Sequence, residues 1–171
     1  YQNAGYEYVE NDFKDTENVK HVYGVAGESG IIVTDKTPFY AEMGGQSGDI
    51  GKITKDNAEA EVLNTTKNGD GIYLHEVKVI SGEFKLDDTV TMSVCAKNRM
   101  DICRNHSTTH LLHKALKEVL GSHVAQAGSL VTNDRLRFDF SHFEAMTTEQ
   151  ISEVEAKVNE AILSAMPICV Q

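Results

Sequence analysis

The chain has 171 residues, 40% hydrophobic and 25% charged, with a formal net charge of −10; this is the balance of a globular protein with one ordinary core or two small ones. No apolar run approaches the ~20 residues of a membrane-spanning helix, and three scattered cysteines (Cys95, Cys103, Cys169) make no disulfide framework, so a reducing compartment is expected. The acidic balance argues against a free-standing nucleic-acid binder, because phosphate neutralisation demands clustered Lys and Arg; the local basic group is Lys97, Arg99 and Arg104, with Lys114 and Lys117 further along, and most of these lysines read as solvated.

Residues 1 to 95 read as short strands. Val19–Ala26 and Gly30–Asp35 alternate apolar and polar around Gly27-Glu28-Ser29-Gly30, a hairpin signal. Gly48–Ile53 is a further short strand. Glu59–Leu63 and Ile72–Val79 flank Lys67-Asn68-Gly69-Asp70-Gly71, a second hairpin of the Asn-Gly kind. Phe84–Val94 closes the run, and many short strands separated by turns predict a small barrel. Between them lies Thr37-Pro38-Phe39-Tyr40-Ala41-Glu42-Met43-Gly44-Gly45-Gln46-Ser47-Gly48-Asp49. Adjacent glycines permit positive φ and let a ligand or another backbone come close, and a plain barrel turn is the simpler use of them.

The period then changes. Asn105–Leu120 reads as a helix with Asn105 at the N-cap, Gly121 at the C-cap, and an apolar stripe of Leu111, Leu112, Ala115, Leu116, Val119 and Leu120. Ser122–Thr132 is a loop or short strand carrying His123, Gln126 and Gly128. Arg135–Ser141 alternates as a half-buried strand, with Arg137 and Asp139 on one face. Thr147 and Gln150 fit a capping box that opens a helix to about Ala165, with Ile151, Val154, Val158, Ile162 and Met166 as its buried stripe. Pro167 stops it, and Ile168-Cys169-Val170 begins a strand. That strand at the chain's end, and Tyr rather than Met at position 1, suggest a piece of a longer protein.

Two histidines, His106 and His110, stand four apart in the predicted helix. Four helical residues advance about 400°, so both rings leave one face and can reach one metal ion. A packed or surface pair has the same spacing. His113 lies near that face; Ser107, Thr108 and Thr109 can turn hydroxyls toward a pocket, and Cys103 reads as a buried structural thiol.

Four motifs follow one another: Thr37–Glu42 with Gly44-Gly45-Gln46, Asn105–Leu111, His123–Ser129, and Leu136–His142. Together they resemble the editing domain of alanyl-tRNA synthetases, a pattern that free-standing alanyl-tRNA editing proteins share. The resemblance implies an α+β chain. Residues 1–95 would be a translation-factor-like β-barrel with the Gly-Gly-Gln loop. Residues 96–171 would be the first part of an α/β editing core like the added domain of threonyl-tRNA synthetase. It further implies hydrolysis of tRNA(Ala) mischarged with serine or glycine, in a cytoplasmic enzyme that attaches alanine to tRNA(Ala) with ATP. His106 and His110 match two zinc ligands. Thr109 and Gln126 match the editing pocket, and Gly44, Gly45 and Gln46 match the motif beside it. The family's later CxxxH, which supplies the other two ligands, does not occur in this chain, so zinc is expected to bind it weakly. His123 and His142 are candidate bases with structural use favoured, and His113 would support the site from behind. Expected partners are the tRNA acceptor end, the rest of the synthetase chain and, through an unpaired strand edge, a second copy. Other readings are a tRNA-docking module without chemistry and a free-standing editing protein.

Overall fold

The structure is a computed structural model that describes residues 14–23, there the backbone with the Val19 side chain, and residues 29–165. The expected turn at Gly27-Glu28, and Met166, Pro167 and the strand at Ile168–Val170, lie outside the described residues. The chain divides into two compact units between Met100 and Asp101. It is a mixed α+β protein whose strand pairs are antiparallel.

The first unit holds β1 (Lys14–Tyr23), β2 (Ser29–Thr34), β3 (Gly51–Lys55), β4 (Ala58–Lys67), β5 (Tyr73–Ser81) and β6 (Thr89–Val94). They pair in the order β1-β2-β5-β4-β3-β6, and β6 returns to β1, so the sheet closes into a barrel. Alternation builds it. Ala58, Ala60, Val62 and Thr65 of β4 are buried, as are His75, Val77 and Val79 of β5. With Val19, Ile32, Ile53, Val90 and Met92 they form one core, where each large aliphatic side chain contributes about 1.5–3 kcal/mol by leaving water. Asn68 turns the β4–β5 hairpin, its Oδ1 accepting from the amides of Asp70 (3.0 Å) and Ile72 (2.9 Å).

Two strands differ from the sequence reading. β3 starts at Gly51 rather than Gly48, because the Asp49 amide is taken by the Tyr40 carbonyl at 2.9 Å. β6 starts at Thr89 because residues 85–88 turn: Asp88 accepts from the Lys85 amide at 2.6 Å, and Asp87 has φ +64°.

Helix α1 (Ala96–Leu120) runs on into the second unit, which also holds β7 (Gln126–Val131), β8 (Leu136–Phe140) and α2 (Thr148–Leu163). The expected N-cap at Asn105 is wrong. The helix starts at Ala96, with the Arg99 amide donating to the Cys95 carbonyl at 3.0 Å, and Asn105 sits inside it with Nδ2 donating to the Thr132 carbonyl at 2.9 Å. Cys103 is thus a helical, half-buried residue. Gly121 ends α1 with φ +114°, a conformation open to glycine. Among the described residues β7 and β8 pair only with each other, and Thr147 and Gln150 cap α2 reciprocally, as read.

The core of this unit is Ala115, Leu116, Val124 and Val154, flanked by Leu112, Val119, Leu120, Phe138, Phe140, Met146 and Val158. The expected stripe of α2 is narrower than the sequence suggested. Val154 and Val158 pack, but Ile151 and Ile162 are 45% and 48% exposed, because one helix and a two-stranded sheet offer α2 only a narrow seat. No helix among the described residues is long and apolar enough to cross a membrane.

Candidate functional site

Within the barrel unit, the segment from Thr37 to Asp49 forms a pinned loop. Its tip is a two-residue turn. The amides and carbonyls of Met43 and Gln46 bond each other at 3.2 and 3.1 Å, with Gly44 at φ +62° and Gly45 at φ +82°. Positive φ at both central positions is the type I′ geometry that two glycines permit without strain. A Cβ at Gly44 would meet nothing within 4 Å, so the space beside its backbone is open. Gln46 is buried at 5% exposure while Gly44 and Gly45 are exposed.

The loop's base is held by groups that sequence reasoning missed. Asp49, 1% exposed, receives Arg99 Nε on both carboxylate oxygens (2.8 and 3.0 Å) together with Nη2, and receives the Tyr40 amide at 2.6 Å. Arg99 Nη2 also donates to the Pro38 carbonyl at 3.1 Å. Arg99 of the basic group thus anchors the loop, and Arg104 of the same group pairs with Asp101. On β4, the Thr65 hydroxyl donates to the Asp49 carbonyl (3.0 Å), and the Thr65 carbonyl accepts the Glu42 amide (2.8 Å).

His75 on β5 is the remaining anchor. It has no exposed surface, and its ring bonds the Ile32 carbonyl through Nδ1 (2.9 Å) and the Thr37 hydroxyl through Nε2 (2.8 Å). Phe39 meets the ring edge to face at 5.4 Å. Burial lowers its pKa below the usual 6.5 and outweighs the Ile32 bond, which raises it. A histidine whose folded pKa is lowered takes up its proton more readily when unfolded. Its contribution is present above about pH 6.5 and is lost as pH falls below that value. Thermal melts from pH 7.5 to 5 should therefore lose stability, with a shallower slope in His75→Gln; identical slopes would exclude His75 as the cause.

In the second unit, His106 and His110 leave α1 side by side, ring centroids 5.2 Å apart and planes at 28°. Burial, then the neighbouring His110, lowers the pKa of His106. Between them lies Thr109, 7% exposed, whose hydroxyl donates to the Asn105 carbonyl at 3.0 Å. That oxygen retains acceptor capacity. Thr108 instead donates to the Arg104 carbonyl, so the row of hydroxyls is partly spent on the helix itself. Gln126 opens β7 opposite Phe140 and is exposed. His113 packs against Phe138 at 5.2 Å, and its Nε2 is buried with no hydrogen-bond partner among the described residues. Arg137 and Asp139 pair at 3.0 Å on exposed sheet, as their shared face suggested.

As a metal centre, the pair is half a shell. Two imidazoles one turn apart suit a zinc ion, which takes four ligands. Among the described residues no third His, Cys, Asp or Glu joins them. The histidine pair, Thr109 and Gln126 belong to the second unit, and Gly44, Gly45 and Gln46 to the barrel unit.

The sequence profile of the family described as "tRNA synthetases class II (A)" matches residues 2–98. The chain belongs to this family, and within it to the alanyl-tRNA synthetases. It is 53% identical over 143 residues to the alanine–tRNA ligase of Pelotomaculum thermopropionicum, a match covering 84% of this chain and 16% of that enzyme. With the alanine–tRNA ligase of Acetivibrio thermocellus it shares 54% identity over 142 residues, 83% of this chain and 16% of the enzyme. The alanine–tRNA ligase of Desulforamulus reducens is 49% identical over 152 residues, 89% of this chain and 17% of that enzyme. The chain thus spans about a sixth of the length of the curated relatives it matches.

Proposed function

We propose that this chain is the front part of an editing module that hydrolyses the ester of tRNA(Ala) carrying serine or glycine, in a cytoplasmic enzyme that attaches alanine with ATP. In this reading the barrel is of the translation-factor kind, and the second unit is the beginning of a core like the added domain of threonyl-tRNA synthetase. The chemical need is clear. A pocket shaped for alanine cannot exclude glycine by size, and rejects an added hydroxyl poorly, so a second site must destroy the wrong ester.

The observation that carries the reading is the pair His106 and His110, side by side on α1 with Thr109 in the same turn. The Thr109 oxygen donates to Asn105, yet it can still accept the hydroxyl of a seryl group, a bond that alanine does not offer. His106 and His110 would hold the zinc, with the remaining donors from outside the described residues. When bound, the metal supplies a fixed positive centre that orients the substrate's amino group or terminal ribose. Gln126 has no titratable proton and serves to orient water or the ester carbonyl. Gly44 and Gly45 leave room for backbone to approach the substrate.

The test is made in the full-length synthetase. His106→Ala with His110→Ala should lower clearance of seryl-tRNA(Ala) about 100-fold, reduce zinc per chain, and leave alanine attachment intact. Thr109→Val should lower serine clearance more than glycine clearance. Unchanged serine clearance in both variants would sink the reading. The half shell favours a second reading, in which the chain docks the acceptor end and the rest of the enzyme brings the chemistry. Salt-dependent tRNA binding undiminished by these substitutions would support it.

A further inference from the structure

His123 and His142 face each other across the end of the β7–β8 sheet, next to the Ala125–Ser141 backbone bond of 3.0 Å. His123 Nε2 and His142 Nδ1 are 2.8 Å apart, with ring centroids at 5.1 Å and planes at 19°. That separation is what two imidazoles require when they meet edge to edge through one hydrogen bond. The two rings therefore form one nearly flat surface, not a stack. On the His123 face lies Phe143, with centroids 4.5 Å apart and planes at 26°. Phe143 is 86% exposed.

We propose that Phe143 with the His123–His142 pair is a stacking platform for an unpaired nucleobase of an RNA strand. The inference rests on the RNA-ester reading above and adds a binding subsite to it. An exposed phenyl ring held parallel to a second ring presents a flat π-face, and bases stack on such faces without regard to their identity. A protein partner is the weaker fit. Its docking patch would need aliphatic neighbours, whereas Phe143 is followed by exposed Glu144 and Ala145 and preceded by an imidazole. The chain's net charge of −10 agrees with a contact made through bases instead of phosphates. Such binding is only weakly salt-dependent, because few counterions are released.

The chain contains no tryptophan, so Phe143→Trp installs a single fluorescent ring at the platform. The ribotrinucleotide CCA should quench it, and a short blunt RNA duplex should not. In NMR titrations of the unsubstituted chain with CCA, ring protons of His123 and Phe143 should move upfield. The dissociation constant should rise about tenfold in both Phe143→Ala and Phe143→Leu, the loss of one stacking contact. It should change less than twofold between 50 and 200 mM salt. Equal response to duplex and single strand, or Phe143→Leu binding as well as phenylalanine, overturns the proposal, since either removes the need for stacking. The position is exposed, and unchanged circular dichroism would confirm that the variants fold. Oligonucleotide binding is read without any hydrolysis, so its failure and failure of the editing assay are separate results.

Discussion

Replacing Asp49 by alanine should cost about 3–5 kcal/mol of folding stability, the penalty for stranding one partner of a buried ion pair. Several bonds are lost together. Arg99 Nε loses both carboxylate acceptors, Nη2 keeps the Pro38 carbonyl but loses Asp49, the Tyr40 amide loses its 2.6 Å bond, and a guanidinium remains in a site where the Arg99 side chain is 21% exposed. The sum is a large fraction of the ~5–15 kcal/mol that holds a typical domain. Asp49→Asn keeps the volume and one acceptor but removes the charge, and should cost about 2 kcal/mol. Urea unfolding of the two variants measures both. The double variant Asp49→Ala with Arg99→Met should be more stable than Asp49→Ala alone, because it removes the orphaned charge. A loss under about 1 kcal/mol for Asp49→Ala would show that water or another group already satisfies Arg99.

That pair also shows where the sequence becomes opaque. The hairpin at Asn68, the alternation of β4 and β5 and the Thr147–Gln150 cap were legible because each depends on residues a few positions apart. The histidine pair was legible for the same reason: helical geometry puts positions four apart on one face, and the rings are found 5.2 Å apart. Arg99 and Asp49 are fifty positions apart, and nothing local marks either as buried or as the other's partner. The start of α1 was misplaced because a capping residue, Asn105, was taken to stop the helix going backward. In the fold its side chain bonds Thr132, while Cys95 accepts from Arg99 at the true beginning. The His123–His142–Phe143 platform was hidden in part. His142 and Phe143 are neighbours, but the strand pairing that brings His123 to them is tertiary.

Gly48→Ala should cost about 3 kcal/mol, and the reason is space instead of backbone angle. A Cβ at Gly48 would stand 2.3 Å from the Thr65 carbonyl oxygen, 2.7 Å from Asn64 Oδ1 and 3.0 Å from the Thr65 amide. The Asn64 side chain can swing away, but the Thr65 backbone is held by β5, where Thr65 pairs with His75. The loop must therefore move. Its retreat breaks the Glu42–Thr65 bond (2.8 Å) and the Thr65–Asp49 bond (3.0 Å), two of the ties that fix the Gly-Gly-Gln turn above the barrel wall. Hydrogen exchange separates this from a general loss of stability: the Glu42 and Asp49 amides should exchange faster than the barrel amides of β4 and β5. Gly44→Ala is the opposite case. Its Cβ meets nothing, but φ +62° costs a non-glycine residue about 1 kcal/mol, so stability should fall little. If Gly48→Ala costs less than Gly44→Ala and leaves the Glu42 amide protected, the loop is not seated on Thr65. If the order holds, Gly48 secures the loop to the barrel, and Gly44 and Gly45 are left free to shape its tip.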